Sequence, residues 1–253
     1  METGVIALGI MCKAPREGAC KTRLSPPLSA AEAAELSRCF IADVGSVIAE
    51  MAPAAGARGV AIYTPVGSEA AFDGLLPDGF ARLGQRGDDL GERLLCATED
   101  LLAGGDGGVC LINSDSPTLP ASLLRQTVDA LRRPGDRVVL GPAVDGGYYL
   151  IGLKRAHAPL FQGVAWSTGQ VLAQTLTRAA ALKVPLTLLP LWYDVDDLSA
   201  LQLLLHELFA GGVPLAVDGL CGSPASHSRQ YLQSLLRAPN ASRFGFPAAA
   251  AVG

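Results

Sequence analysis

The sequence predicts an α/β protein, a three-layer α/β/α sandwich built on a mostly parallel sheet. Three observations carry this. Short apolar runs alternate with segments whose apolar residues recur every three to four positions, the pattern of strands exchanged with amphipathic helices. The runs are apolar throughout, as strands covered on both faces are. Two of them, Arg137–Leu140 and Tyr148–Leu153, are joined by a Gly-rich link too short for a parallel crossover, which brings an antiparallel element into the sheet.

Taken in order, Val5–Met11 opens as the first strand. Ser29 and Glu32 form a capping box, and Leu36, Phe40, Val44, Val47 and Met51 follow as one helical stripe. Gly59–Thr64 is a strand stopped by Pro65, and Phe80–Gln85 is a weaker one. Leu90, Leu94, Ala97 and Leu101 mark a helix, Gly108–Asn113 a buried strand, and Leu124, Val128 and Leu131 a helix after Pro120. Leu172, Leu176 and Ala179 lie on a helix after Ser167, Pro185–Trp192 is the last strand, and Leu198, Leu201, Leu205 and Leu208 form a helical stripe. Residues 1–218 read as one domain. Residues 219–253 read as a C-terminal extension with a short helix, Arg229–Arg237, and a weakly ordered tail ending "FPAAAAVG".

Composition narrows the function. A formal charge of −4 over 253 residues argues against nucleic-acid or anionic-membrane partners. The N-terminus carries an acid at its start and only a seven-residue apolar run, without the basic leader and cleavage site of a signal peptide. The six cysteines form no C-x-x-C pair, so reduced thiols and a cytoplasmic location are expected.

Against this acidic background, "KAPREGACKTRL" (Lys13 to Leu24) carries a local charge of +3 directly after the first strand. Lys13, Arg16, Lys21 and Arg23 around the turn residue Gly18 suit a polyphosphate, though a solvated surface turn would look the same. No Walker A pattern is present. In "LINSDSPTLP", Asp115 stands just beyond a strand, where one carboxylate can hold Mg²⁺ against phosphate oxygens, or Asp115 or Ser116 can cap the next turn. In "WYDVDD", Asp194 and Asp196 point to the same side of an extended chain. They are metal ligands, or else Asp196 or Asp197 caps the helix that follows. In "GPAVDGGYYLIGL", Asp145, Gly146 and Gly147 make a hairpin turn that also allows close approach of a ligand, with Tyr148 and Tyr149 lining its pocket. The basic loop, Asp115 and the Asp194–Asp197 stretch all follow strands, at the edge where α/β sheets bind ligands. "QRGDDLGERL" reads as capping and surface charge, and Trp166-Ser167-Thr168 as an aromatic wall and helix cap. The histidines have no partner motif, and no G-x-S-x-G elbow occurs.

These four motifs together resemble a bacterial family of glycosyltransferase-A-fold proteins, usually labelled glycosyltransferase-like and in some cases connected with arsenosugar biosynthesis. More distantly, the chain is similar to the guanylyltransferases of molybdenum-cofactor and coenzyme F420 synthesis. The resemblance spans about Val5 to Leu208, with Asn113 where glycine is expected before "SDSP". It implies a nucleotide-diphospho-sugar transferase type of fold and Mg²⁺ or Mn²⁺ between protein carboxylate and phosphates. Asp115 matches the family's metal-binding aspartate, Asp194 or Asp196 its second acidic position, and Asp145 its acceptor-side loop.

Two reactions fit such a site. Nucleotidyl transfer from a nucleoside triphosphate to a small phosphorylated acceptor needs several cations beside the metal. Glycosyl transfer from a nucleotide-diphospho-sugar needs fewer. The four basic residues tilt the reading toward nucleotidyl transfer, with Lys21 and Arg23 on the β- and γ-phosphates beside Asp115, and with Asp145, Tyr148 and Tyr149 toward the acceptor. A nucleotide-binding domain without turnover is the remaining reading. The sequence specifies neither base, acceptor nor oligomeric state.

Overall fold

The computed structural model describes residues 4–212, 215 and 219–246. Seven strands form one sheet in the order β3-β2-β1-β4-β6-β5-β7. β1 (Ile6–Lys13) lies between β2 (Ala57–Thr64) and β4 (Gly108–Asn113), parallel to both, and β3 (Ala81–Gly84) extends that half. β6 (Tyr148–Leu153) runs antiparallel to β4 and to β5 (Val138–Pro142), while β7 (Leu186–Leu188) is parallel to β5. The reversed strand is the one the short link demanded. It also brings the 143–147 hairpin to the sheet edge that holds the carboxyl ends of the other strands.

Alternation along each strand splits the core in two. Ile6, Leu8 and Ile10 face a layer made by α1 (Ala30–Ala55), α3 (Ala121–Arg132), α5 (Leu198–Ala210) and α6 (Ser226–Leu236). Ala7 faces the other layer, made by α2 (Leu90–Ala103) and α4 (Val171–Leu182). This is the α/β/α sandwich expected.

Local signals set the helix starts. The Ser29 hydroxyl accepts from the Glu32 amide at 3.2 Å, and the Glu32 carboxylate accepts from the Ser29 amide at 2.8 Å. Asp89 caps α2 and Asp197 caps α5, each accepting from the amide three residues on. Of the aspartates in "WYDVDD", it is therefore Asp197 that serves the helix, leaving Asp194 and Asp196 for other work.

Some boundaries depart from the sequence reading. The last strand covers only residues 186–188, because Pro190 cannot donate to a ladder. The chain still follows β5 beyond it, through Leu189 N to Leu140 O (2.8 Å) and Trp192 N to Pro142 O (3.1 Å). α4 starts at Val171 without a side-chain cap, and Thr168 instead closes the preceding turn, donating to the Ala165 carbonyl at 2.7 Å. α6 begins three residues earlier than Arg229. Its first turn is seated on the buried carboxylate of Asp43 in α1, which accepts from the His227 amide and from the amide and hydroxyl of Ser228. The tail after Phe246 lies outside the described residues. All six cysteines are free, and among the described residues no helix is long and apolar enough to cross a membrane.

Candidate functional site

Three loops converge at the carboxyl edge between β1 and β4. The loop after β1 turns at Lys21, whose left-handed backbone (φ 50°) precedes a 3₁₀ turn, Thr22–Leu24. The loop after β4 carries Asp115, and the segment after β7 carries Asp194 and Asp196. The second and third are tied by the Val195 amide, which donates to the Asp115 carbonyl at 2.8 Å.

Lys21 joins all three. Its ammonium lies 2.7 Å from Asp115 Oδ1 and 2.8 Å from Asp196 Oδ1. It also donates to the Val195 carbonyl at 2.8 Å and sits 5.4 Å from the centroid of the Phe40 ring. Only 5% of the side chain is exposed. Burial pulls the Lys21 pKa down, but the two carboxylates outweigh it and hold the pKa above the usual lysine value. Against the desolvation that would raise it, Asp196 is correspondingly held low by Lys21 and Arg23. Arg23, 74% exposed, reaches Asp196 Oδ2 at 3.0 Å. The loop's basic residues thus divide: Lys21 is a buried counter-ion, and Arg23 a wet one.

Asp194 is the opposite case. It has no basic partner among the described residues. Burial, followed by the charges of Asp145, Asp196 and Asp115, pushes its pKa up to about 7.

Two connected cavities open over these groups. One, of about 460 Å³, is floored by apolar side chains and walled by Asp115, Asp145, Asp194 and Asp196 with Tyr148 and Trp166. The other, of about 560 Å³, is lined by Lys13, Lys21, Arg23, Arg93 and Gln85. They share Asp115, Asp196 and Arg23, so one cleft has an acidic, aromatic lobe and a basic lobe meeting at Asp115.

The 143–147 turn is a hairpin, as expected: Ala143 N bonds Gly147 O at 3.0 Å, and Asp145 Oδ1 accepts from the Gly147 amide at 2.8 Å. Gly146, at φ 86°, is needed for another reason than ligand approach. A Cβ there would strike the Gly169 backbone, so the close neighbour is the chain's own 167–169 loop. Tyr148 packs edge-on to Trp166, with ring centroids 6.4 Å apart, and its hydroxyl is buried without a partner.

The structure adds detail to several expectations. Tyr149 borders the cavity but belongs to the core, because adjacent residues on a strand face opposite ways. Its ring is fully buried and its hydroxyl donates to the Pro190 carbonyl at 2.9 Å. Arg16 and Gly18 lie exposed on the loop and line neither cavity. Lys21 lines the basic lobe and is ion-paired to the Asp115 and Asp196 carboxylates. Arg93, read from sequence as surface charge, reaches the basic lobe. Its guanidinium holds the preceding loop through the Gly87 and Asp88 carbonyls at 3.0 and 3.4 Å. The signal for it was positional: its loop follows β3, at the same sheet edge as the others.

Among the described residues, no three His, Cys, Asp or Glu side chains are gathered closely enough to cage a metal ion. The donor set still fits Mg²⁺ or Mn²⁺ in the manner typical of Mg²⁺, which takes one or two protein carboxylates and completes its shell with water and substrate phosphates.

The sequence family described as "Uncharacterized protein conserved in bacteria (DUF2064)" matches residues 47–168, the stretch holding Asp115, Asp145 and Trp166. A solved structure from Desulfovibrio desulfuricans G20, assigned by inference as a nucleotide-diphospho-sugar transferase, superposes with a TM-score of 0.73 at 27% identity. The match covers 89% of this chain and 97% of that one. The fold is that of nucleotide-diphospho-sugar transferases. A CMP:2-keto-3-deoxy-manno-octonic acid synthetase solved with CTP shares the fold more distantly, with a TM-score of 0.52 and 12% identity over 82% of this chain and 99% of that one. No curated protein sequence matches this chain.

Proposed function

We propose that the chain is a metal-dependent transferase with a nucleotide donor, moving a nucleotidyl group from a nucleoside triphosphate to a small phosphorylated acceptor. The observation that supports this is the meeting of a basic lobe and an acidic, aromatic lobe at Asp115. A triphosphate lies along Lys13, Arg23 and Arg93, and the acceptor lies against Asp145, Tyr148 and Trp166. An acceptor phosphate oxygen attacks the α-phosphorus, the bond to the bridging oxygen breaks, and pyrophosphate leaves with that electron pair. Lys13, Arg23 and Arg93 spread the leaving group's charge. Asp115 and Asp194 would hold the Mg²⁺ or Mn²⁺ ion, since both Asp196 oxygens are engaged by Lys21 and Arg23. When bound, that ion supplies charge neutralisation and orientation.

A second reading, glycosyl transfer from a nucleotide-diphospho-sugar, is favoured by two observations. Lys21 is spent on carboxylates, which lowers the number of cations free for phosphate. The Desulfovibrio relative is also assigned to that class. On either reading, the sequence resemblance to arsenosugar-type glycosyltransferases and to cofactor guanylyltransferases supports a small-molecule acceptor.

A panel of nucleoside triphosphates and nucleotide-sugars with Mg²⁺, read by pyrophosphate release and by thermal stabilisation, tests the choice. Pyrophosphate formed with a phosphorylated acceptor supports nucleotidyl transfer. Stabilisation by a nucleotide-sugar alone sinks it.

A further inference from the structure

The two cations of the 21–23 stretch have different surroundings, and the difference bears on how a metal can enter. Lys21 Nζ contacts three oxygens at 2.7–2.8 Å, from Asp115, Asp196 and the Val195 carbonyl, with the Phe40 ring 5.4 Å away. That is a cation's coordination set, and the cation filling it is a side chain of the protein itself. We infer that Lys21 is the built-in cation of the cleft: it holds Asp115 and Asp196 as a preformed pair and keeps a free divalent ion out. The metal then enters only together with a nucleotide's phosphates.

Space and charge both disfavour the free ion. A divalent ion binds carboxylate oxygens at about 2.0–2.2 Å and gives up its water reluctantly. Oδ1 of both aspartates is already taken by an ammonium that would repel the ion, and Oδ2 of Asp196 is held by Arg23 at 3.0 Å. Lys21 and Arg23 together offset the charge of Asp115 and Asp196, so the pair exerts little pull on a free cation. What remains open is Asp194, the outer oxygen of Asp115 and, on the hairpin, Asp145, which among the described residues are not gathered closely enough to complete a shell without phosphate oxygens. Lys21 is in this sense a positioning residue. It acts through the two aspartates, joining the loops that follow β1, β4 and β7, and touches no phosphate itself. The exclusion of free metal stands on geometry alone, whereas the entry of metal with a nucleotide rests on the proposed function.

Mn²⁺ binding followed by the electron paramagnetic resonance signal of the free ion separates the two. Without nucleotide, the wild-type protein should leave Mn²⁺ free at concentrations where folded Lys21→Met binds it about tenfold more tightly or better, its two aspartates having lost their ammonium. Lys21→Gln, which keeps a donor for the Val195 carbonyl, should gain Mn²⁺ in the same way, and Lys21→Arg should not. Adding a nucleoside triphosphate should recruit Mn²⁺ to the wild-type protein, read by equilibrium dialysis as Mn²⁺ retained with the protein beyond that carried by the same nucleotide alone. The inference is overturned if the wild type binds Mn²⁺ without nucleotide as tightly as the variants, or if folded Met and Gln variants gain nothing. Should neither variant fold, tight nucleotide-free binding by the wild type still overturns it, and its absence, with recruitment by nucleotide, upholds it. Failure of every nucleotide to recruit Mn²⁺, with the variants' gain intact, overturns the proposed function and leaves the Lys21 assignment standing.

Discussion

The two lobes of the cleft are charged oppositely and also built differently. In the basic lobe, Lys13 is exposed and has no ion-pair partner among the described residues, and Arg23 extends into solvent from a single contact. In the acidic lobe the carboxylates stand over an apolar floor, partly buried, with Asp194 crowded by Asp145, Asp196 and Asp115. An open cationic surface exchanges water for phosphate cheaply. A crowded anionic one is held in tension until a cation arrives. On the proposed function, the first lobe suits recognition of phosphate, and the second is where folding has accepted a cost that function can recover.

Substitutions can break this contrast. The largest effect belongs to Asp115, where the lobes meet: Asp115→Ala should lower transfer at least about 100-fold, as loss of a charge-stabilising group at a reacting centre does. It should also abolish metal-dependent nucleotide binding measured by calorimetry. Asp194 sharpens the contrast through stability. Its folded pKa, about 7, is raised from 3.8, so the folded state keeps a proton that the unfolded chain has lost. The stabilisation this gives is complete below the unfolded value and disappears as pH rises through 7. Asp194→Asn should therefore melt about 5 °C higher than wild type at pH 8, from about 2 kcal/mol of relieved charge burial. At pH 4 the two melting curves should coincide.

In the basic lobe the expected effects are smaller. Lys13→Ala and Arg93→Ala should each weaken triphosphate binding about fivefold, close to 1 kcal/mol, with a shallower salt dependence and little change in melting temperature. Equal losses from a neutral substitution on the far side of the sheet would dissolve the distinction between lobes. Smallest on stability is Asp145→Asn, which can still accept from the Gly147 amide and should shift unfolding free energy by no more than about 0.5 kcal/mol. Its effect should appear in the KM for acceptor.

The frame of the protein was legible in its sequence because local physics decides it. The Ser29–Glu32 capping box, the apolar β1 and β4, and the hairpin link that reverses β6 need only near neighbours. The loops carrying Lys13, Lys21, Arg23, Asp115, Asp194 and Asp196 were legible for the same reason, since each follows a strand. What their residues do once folded was not. Lys21 and Asp196 meet across 175 positions of chain, and no spacing rule announces that one lysine will turn inward while an arginine two residues on stays in water. Tyr149 is a different case. Strand alternation turns the Tyr148 and Tyr149 rings to opposite faces of the sheet, so although both residues border the cavity, the Tyr149 ring belongs to the core. Arg93 was hidden by chemistry that looks ordinary, an arginine in the first turn of a helix, until the order β3-β2-β1-β4 set its loop beside the basic one.

The seat of α6 on Asp43 has a practical side. A chain cut near residue 219, where the composition changes and a truncation would naturally be placed, would strip three donors from a carboxylate that sits inside the molecule. It would also bare the face of α1 that Leu232, Leu235 and Leu236 cover. Such a shortened protein would be expected to aggregate on purification, even though every residue of the cleft were still present.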